Sequence, residues 1–299
     1  MKKHHVIGII MTLMGFASFS IGDAIKKQLR IWEFDSFYIL FWSAVVSICL
    51  IFGYALFKRQ AKDVVRLKHP VLSLLRSLFV FVLGYLAILS FYHLEMTDAY
   101  ILIMTSPIFA ILLFYLFFGE PIKPYKIMSV LLGFVGAAMV IKPGVAAWDL
   151  AYLAPIGVAL MFVTNNMLLK KVVHDESKLS LIFYPNLMTL IICTMLLREQ
   201  IVHMIDINGM IFLLATGVCS LSGAFFMAWA VQLIEASEVS LYHYVQVFYG
   251  VALGYFFFNE HLDWFDAAGI VAIIASGLVI YFGSKRRQAL EAIAETPPI

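Results

Sequence analysis

Three ionisable side chains stand inside long apolar stretches of this 299-residue chain: Asp23, Arg76 and His243. A charge in hydrocarbon costs roughly 2.5–3.5 kcal/mol on insertion scales, so each embedded group is a candidate for function. Asp23 lies one helical turn before Lys27 on a shared face, and Asn166 and Lys170 repeat the spacing. Two readings of Asp23 stand together: a contact for a polar solute or a proton, or an Asp–Lys pair reaching the interface. Arg76, one or two turns inside its run, either snorkels to headgroups or offers a fixed positive charge to an anionic group. His243 titrates near neutral pH in ordinary surroundings, which makes it a candidate for coupling proton movement. Tyr242, Gln246 and Tyr249 recur around it at i, i+4 and i+7 and form one polar-aromatic stripe.

Uncharged polar groups add to the set. Thr105 and Ser106 put hydroxyls beside Pro107, which frees a backbone carbonyl one turn earlier. That suits either a cavity wall or a simple packing kink. Asn165 and Asn166 carry the same argument in a later run, and Tyr85, Tyr100 and Trp229 offer faces for a flat ring. Glu120 and Glu260 end two related runs, where a carboxylate accepts backbone N–H bonds and suits the positive end of the following helix. These two are read as structural helix ends, and Gly250 and Gly254 as sites of close helix approach.

The elements that must position these groups follow from composition. Hydrophobic residues make up 63% and charged residues 13%, about half the roughly 25% of a soluble domain. Mean hydropathy is +0.93. A soluble fold could not hide so much apolar surface, and a disordered chain would be apolar-poor. The net charge of +2 leaves no basic face for nucleic acid. An integral membrane protein remains, with the lipid bilayer as its solvent.

A bilayer needs roughly 20 apolar residues per helix, and ten runs qualify: 6–25, 37–57, 71–92, 99–118, 127–141, 150–169, 179–197, 209–234, 239–258 and 267–282. The start MKKHH before Val6 imitates a secretory signal; with nine further runs, an uncleaved first span is the simpler reading. Fifteen Lys and Arg fall at the termini and in the loops on their side, against five on the opposite side. That bias predicts both termini in the cytoplasm.

The two halves resemble one another. At an offset of 140, Glu95 meets Glu235, Tyr115 meets Tyr255 and Glu120 meets Glu260, while Ser129 and Gly136 meet Gly269 and Ser276. Nearer the N-terminus the offset is 144, pairing Lys26 and Lys27 with Lys170 and Lys171. Five spans per half is an odd number, so the second half is expected to be inverted. The predicted fold is therefore an all-α membrane protein of ten helices in a 5+5 inverted repeat. The expected divisions are 1–146, 147–285 and a cytoplasmic tail at 286–299.

The run RSLFVFVLGYLAILSFYHLEMTDAYILIMTSPIFAILLFYLFFGE (76–120) resembles the spans 3–4 signature of the drug/metabolite transporter superfamily, EamA type. SEVSLYHYVQVFYGVALGYFFFNE (237–260) resembles its second-half partner. The resemblance implies a 5+5 inverted repeat that moves small organic solutes by alternating access; the expected setting is a bacterial inner membrane, with the protein a monomer or homodimer and no cofactor. Where many members carry a proline matching Pro107, this chain has Val247. Two cargo expectations stand: efflux of an amphipathic or aromatic metabolite, favoured by the aromatic richness, and uptake or exchange of a polar metabolite such as S-adenosylmethionine. A coupling proton or a counter-substrate accompanies either. Enzyme motifs such as HExxH and GxSxG are absent, and His203 and Asp206 share an outer loop without a further ligand. No metal site is expected. A receptor or scaffold without transport is the alternative class, although the loops are too short to build a binding domain.

Overall fold

The computed structural model describes residues 2–118, 124–141, 150–172, 175–197, 207–233 and 242–294. The described helices are α1 (Lys2–Ile31), α2 (Ser36–Phe57), α3 (Ala61–Val65), α4 (Pro70–His93), α5 (Met96–Ile103), α6 (Ser106–Phe118), α7 (Pro124–Ile141), α8 (Leu153–Val172), α9 (Lys178–Leu197), α10 (Ile207–Leu233), α11 (Val245–Phe258) and α12 (Trp264–Ala294). A single 3₁₀ turn at Leu150–Tyr152 precedes α8. No strand occurs among the described residues.

Eight helices, with α5 and α6 taken as one, are long and apolar enough to cross a membrane, and the segments Pro124–Val140 and Val245–Phe258 are shorter apolar helices. Their outward side chains are apolar: Phe256 is 77% and Phe257 72% exposed. Water would not tolerate so many such faces, whereas a bilayer covers them.

Local signals set the helix ends. Asp35 caps α2 by accepting from the Phe37 and Tyr38 amides at 2.8 and 3.3 Å. Asn259, in the left-handed conformation, closes α11. Asp263 and Asp266 cap α12 reciprocally, each carboxylate accepting the other's backbone N–H at 2.9–3.0 Å. Pro70 opens α4, and the amides of Lys68 and His69 just before it donate to Glu176 at 2.8 and 2.7 Å. A loop of the second half therefore caps a helix of the first.

The first apolar run ends at residue 25, which predicts a loop at Lys26, Lys27 and Arg30. Instead α1 runs on to Ile31 and buries Lys27. The chain between α2 and α4, read as a loop, contains the short helix α3.

Span 4 is broken as Pro107 predicts: α5 ends at Ile103, a turn covers Met104 and Thr105, and α6 starts at Ser106. The Thr105 hydroxyl donates to the Leu102 carbonyl at 2.7 Å, which occupies an acceptor at the break. Span 9 is interrupted at the related place, although Val247 stands where a proline was expected. A turn at His243–Tyr244 precedes α11, with the Gln246 and Val247 amides donating three residues back to His243 and Tyr244. Tightened 3₁₀-type bonding is enough to turn the backbone there without proline.

The most extensive helix partnerships survive exchange of the two halves. With α5 and α6 together forming span 4, α1 packs on α10 (spans 1 and 8) and α4 on α8 (spans 3 and 6). Swapping each span for its counterpart converts the first of these pairings into the second. The pairings α2–α9, α5–α11 and α7–α12 each map onto themselves.

Direction is readable from α7 and α12. Ser129 and Ser276 exchange hydroxyl-to-carbonyl bonds at 2.9 Å. Two turns along, a Cβ on Gly136 would lie 3.1 Å from the Gly269 carbonyl oxygen, and one on Gly269 3.2 Å from that of Gly136. Residue numbers rise on one helix as they fall on the other, so the two run antiparallel. At the offset of 140, the Ser129–Ser276 contact maps onto Gly269–Gly136, the other observed contact. Small residues at both points let the backbones approach closely.

Candidate functional site

The charged and aromatic groups of interest meet where α1, α5 and α11 pack together. On α1, Phe16, Ser20, Asp23 and Lys27 lie on one face at helical spacing. Asp23 accepts from the Tyr100 hydroxyl of α5 at 3.0 Å with one carboxylate oxygen, and from Lys26 at 3.0 Å with the other. The expected Asp23–Lys27 pair is therefore not formed; Lys26, at i+3, takes that place. Tyr100 is 2% exposed, and its ring lies flush against Gly250 of α11, where a Cβ would come 2.5 Å from ring carbon Cδ2. Phe91 packs on the other side, ring centroid to ring centroid 4.9 Å. Asp23 and Tyr100 form one layer.

One turn along the same helices lies a second layer. Lys27 donates to the Leu94 carbonyl at 2.9 Å and pairs with Glu260, and its ammonium sits 5.0 Å from the Phe258 ring centroid. The other oxygen of Glu260 accepts the Met96 amide, the first of α5, at 2.8 Å. Lys27 and Glu260 side chains are each 9% exposed. Glu260 was expected to serve the helix that follows it; that helix is capped by Asp263 and Asp266, and Glu260 caps α5 of the other half. Gly254 is small for the same reason, because a Cβ there would collide with the Glu260 carboxylate folded back over α11. Gly250, by contrast, serves helix approach as expected.

His243 lies between two rings: Phe16 of α1 is stacked on it at 5.0 Å and Phe162 of α8 lies at 4.9 Å. Gln246 hydrogen-bonds its side chain, and Gln246 itself is buried. The Tyr249 hydroxyl reaches the Leu13 carbonyl of α1 at 3.4 Å, and Tyr242 is half-buried. His243 and Tyr249 thus face α1, the helix that carries Asp23.

Other predicted residues lie elsewhere. Arg76 donates to the Leu181 carbonyl of α9 at 2.8 Å. Pro185 sits four residues on inside α9 and has no N–H to offer that carbonyl. Arg76 thereby fills an acceptor that a proline on another helix leaves vacant. Tyr85 is stacked on Phe37 at 4.8 Å within the cluster around Leu29, Tyr38 and Ile88. Trp229 is 45% exposed beside Phe225. Asn165 donates to its neighbour Asn166 at 3.4 Å, and Asn166 is exposed. Thr105 and Ser106 are buried at the break of span 4. Glu120, His203 and Asp206 lie outside the described residues.

The model of the EamA-like transporter family matches this chain twice, at residues 6–142 and 149–282. The chain belongs to the EamA-like transporter family. Its duplicated match agrees with the internal repeat and with helix pairings that survive exchange of the halves. Among relatives, an S-adenosylmethionine uptake transporter of Rickettsia conorii is 25% identical, across 95% of each chain. The pseudopaline exporter CntI of Pseudomonas aeruginosa is 23% identical over 91% of this chain and 95% of its own. A riboflavin transporter of Vibrio cholerae is 26% identical over 58% of this chain and 59% of its own. A solved crystal structure superposes with a TM-score of 0.64 at 13% identity, covering 95% of this chain and 98% of the other, which shows the fold alone. The relatives are transporters, and the chain is a multi-pass membrane protein of that family.

Proposed function

We propose that this EamA-family protein is a secondary transporter that moves a small organic metabolite with a cationic group by alternating access. In this reading it spans a bacterial inner membrane ten times, with both termini in the cytoplasm and inverted repeats at 1–146 and 147–285. The antiparallel α7–α12 packing supports the inversion, and the charge bias between loops supports the orientation.

The observation that carries the substrate class is the Asp23–Tyr100 pair. Asp23 holds an acidic group within span 1, beside a buried aromatic ring and on the helix whose Leu13 and Phe16 meet span 9. A cationic solute would displace Lys26 as the counter-charge and keep the phenol as a hydrogen-bond donor. S-adenosylmethionine, with its sulfonium, amine and flat adenine ring, is the first candidate, and uptake or exchange the favoured direction. The R. conorii relative supports this reading. Efflux of an amphipathic or aromatic solute draws support from the CntI exporter. It draws less from Tyr85 and Trp229, which lie stacked on Phe37 and beside Phe225 rather than in the Asp23 layer.

The test is uptake of radiolabelled S-adenosylmethionine into proteoliposomes, in competition with a panel of amines, amino acids, nucleosides and flavins. Asp23→Asn keeps the size and removes the charge, and is expected to abolish transport of the cationic solutes. Undiminished uptake by that variant removes Asp23 from the site, and a protein inert to the whole panel sinks the transport reading.

A further inference from the structure

We propose that Lys27 and Glu260 form a latch that closes one end of the solute path and opens once in each transport cycle. The proposal rests on the transport reading above and adds a moving part to it.

The two charges belong to different halves of the chain and lie 233 positions apart. Around them the latch ties together three elements: α1 through Lys27, the α4–α5 corner through the Leu94 carbonyl and Met96 amide, and the end of α11 through Glu260. In the reading with cytoplasmic termini, all three reach the outer face together. Nothing deeper on this face of α1 is open: Ser20, one turn below Asp23, is 0% exposed. With the ion pair formed and Ser20 buried, the structure is read as the closed form of the latch.

Stability alone does not explain the pair. Desolvating two charges offsets most of their attraction, and well-packed apolar residues often serve a fold as well. A charged closure has a property that apolar packing lacks. When the halves part, each ion meets water and recovers its hydration, so the open state is not strongly penalised. An apolar seal would lose its burial without compensation.

The latch is also linked to the layer beneath it. Asp23 and Lys27 are one turn apart on α1, Met96 and Tyr100 one turn apart on α5, and Gly250 and Gly254 one turn apart on α11. Gly250 receives the Tyr100 ring and Gly254 the Glu260 carboxylate. A solute that takes the place of Lys26 at Asp23 pulls on α1 and, through the retained Tyr100 bond, on α5, and those helices also carry the partners of Glu260. Occupancy of the inner layer and closure of the outer one are thereby set by the same three helices.

The experiment reads accessibility, so it needs no known cargo. Ser20→Cys is the reporter, in full-length protein whose Cys49, Cys193 and Cys219 are replaced by alanine. A membrane-impermeant sulfonated maleimide is applied to intact cells and, separately, to inverted vesicles. Glu260→Gln removes the charge but keeps an acceptor for the Met96 amide. Gly254→Ala keeps both charges and displaces the carboxylate. Each is expected to raise reporter labelling at least tenfold from one face only. Ser47→Cys, buried between α2 and α10 at a distance from the latch, serves as the second reporter and is expected to stay unreactive. Unchanged labelling in both variants overturns the latch. Equal gains at both reporters also overturn it, since they mark a static pair whose loss loosens the whole bundle. If labelling is unmoved while solutes cross, the latch fails alone. If labelling rises but no panel solute crosses, the transport reading fails and the latch stands.

Discussion

Arg76 and Pro185 belong to different helices, and the structure couples them through one carbonyl. Pro185 leaves the Leu181 oxygen without its helical donor, and Arg76 supplies one from α4 at 2.8 Å. A hydrogen bond to a charged donor contributes about 1.5–3 kcal/mol. Arg76→Met should therefore lower stability by about 2 kcal/mol in the native background. In Pro185→Ala, the new amide closes the α9 ladder and Leu181 no longer needs Arg76. There the same Arg76→Met change should cost less than about 0.5 kcal/mol, leaving a coupling near 1.5 kcal/mol. The assay is thermal unfolding of the four purified proteins of the cycle, at one scan rate in one detergent. At about 2–4 °C per kcal/mol, the native-background loss is about 4–8 °C and the other about 1–2 °C. Equal losses in the two backgrounds would refute the assignment. The cycle also separates the two earlier readings of Arg76. A solute contact would lose transport with either residue at 185, and a snorkelling side chain would show no dependence on Pro185.

Gly250→Ala places a methyl 2.5 Å from the Tyr100 ring, deep in the α5–α11 contact. Overpacking of this kind costs about 1–3 kcal/mol, and the displaced ring should weaken solute binding through Asp23. Ligand-induced thermal shift with S-adenosylmethionine measures it, and an unaltered shift would show that Tyr100 is not part of the binding layer. Glu176→Ala removes the shared acceptor of the Lys68 and His69 amides at the start of α4. The expected loss is about 1 kcal/mol, the usual worth of a helix cap. Faster hydrogen exchange should be confined to the first turn of α4, and exchange spread over the whole helix would contradict that role.

Much of the scaffold was legible because the bilayer allows few choices. Runs of apolar residues become helices since no other element satisfies its own backbone in lipid. Ser129, Gly136, Gly269 and Ser276 showed in the sequence as matching positions of the repeat, and the fold makes them the antiparallel seam between α7 and α12. The polar contacts were harder, since spacing names a face without naming a partner. Lys26 and Lys27 both lie within reach of Asp23 along the helix. Lys27 goes elsewhere because Glu260, more than two hundred residues away, is brought beside it by the fold. Arg76 was equally ambiguous from its own run. The signal that places it was Pro185, whose presence inside an apolar span announces a carbonyl in need of a donor.

The repeat divides the charged groups into two kinds, and the division bears on how such a chain changes cargo. Lys27 and Glu260 have counterparts of the same charge in the other half, Lys171 and Glu120. Asp23 and Tyr100 do not: their positions are held by Met167 and Ser240. The duplicated charges stand at helix ends of the repeated scaffold, whose most extensive helix pairings survive exchange of the halves. In the proposed transport reading the unduplicated pair serves recognition, which needs to be made on one side of the path only. Lys27 and Glu260 each hold a partner in the other half, whereas among the described residues the hydrogen-bonded neighbours of Asp23 are Lys26 and Tyr100, both in its own half. Substitutions in that layer can therefore alter which solute is held while the helices that move it keep their contacts.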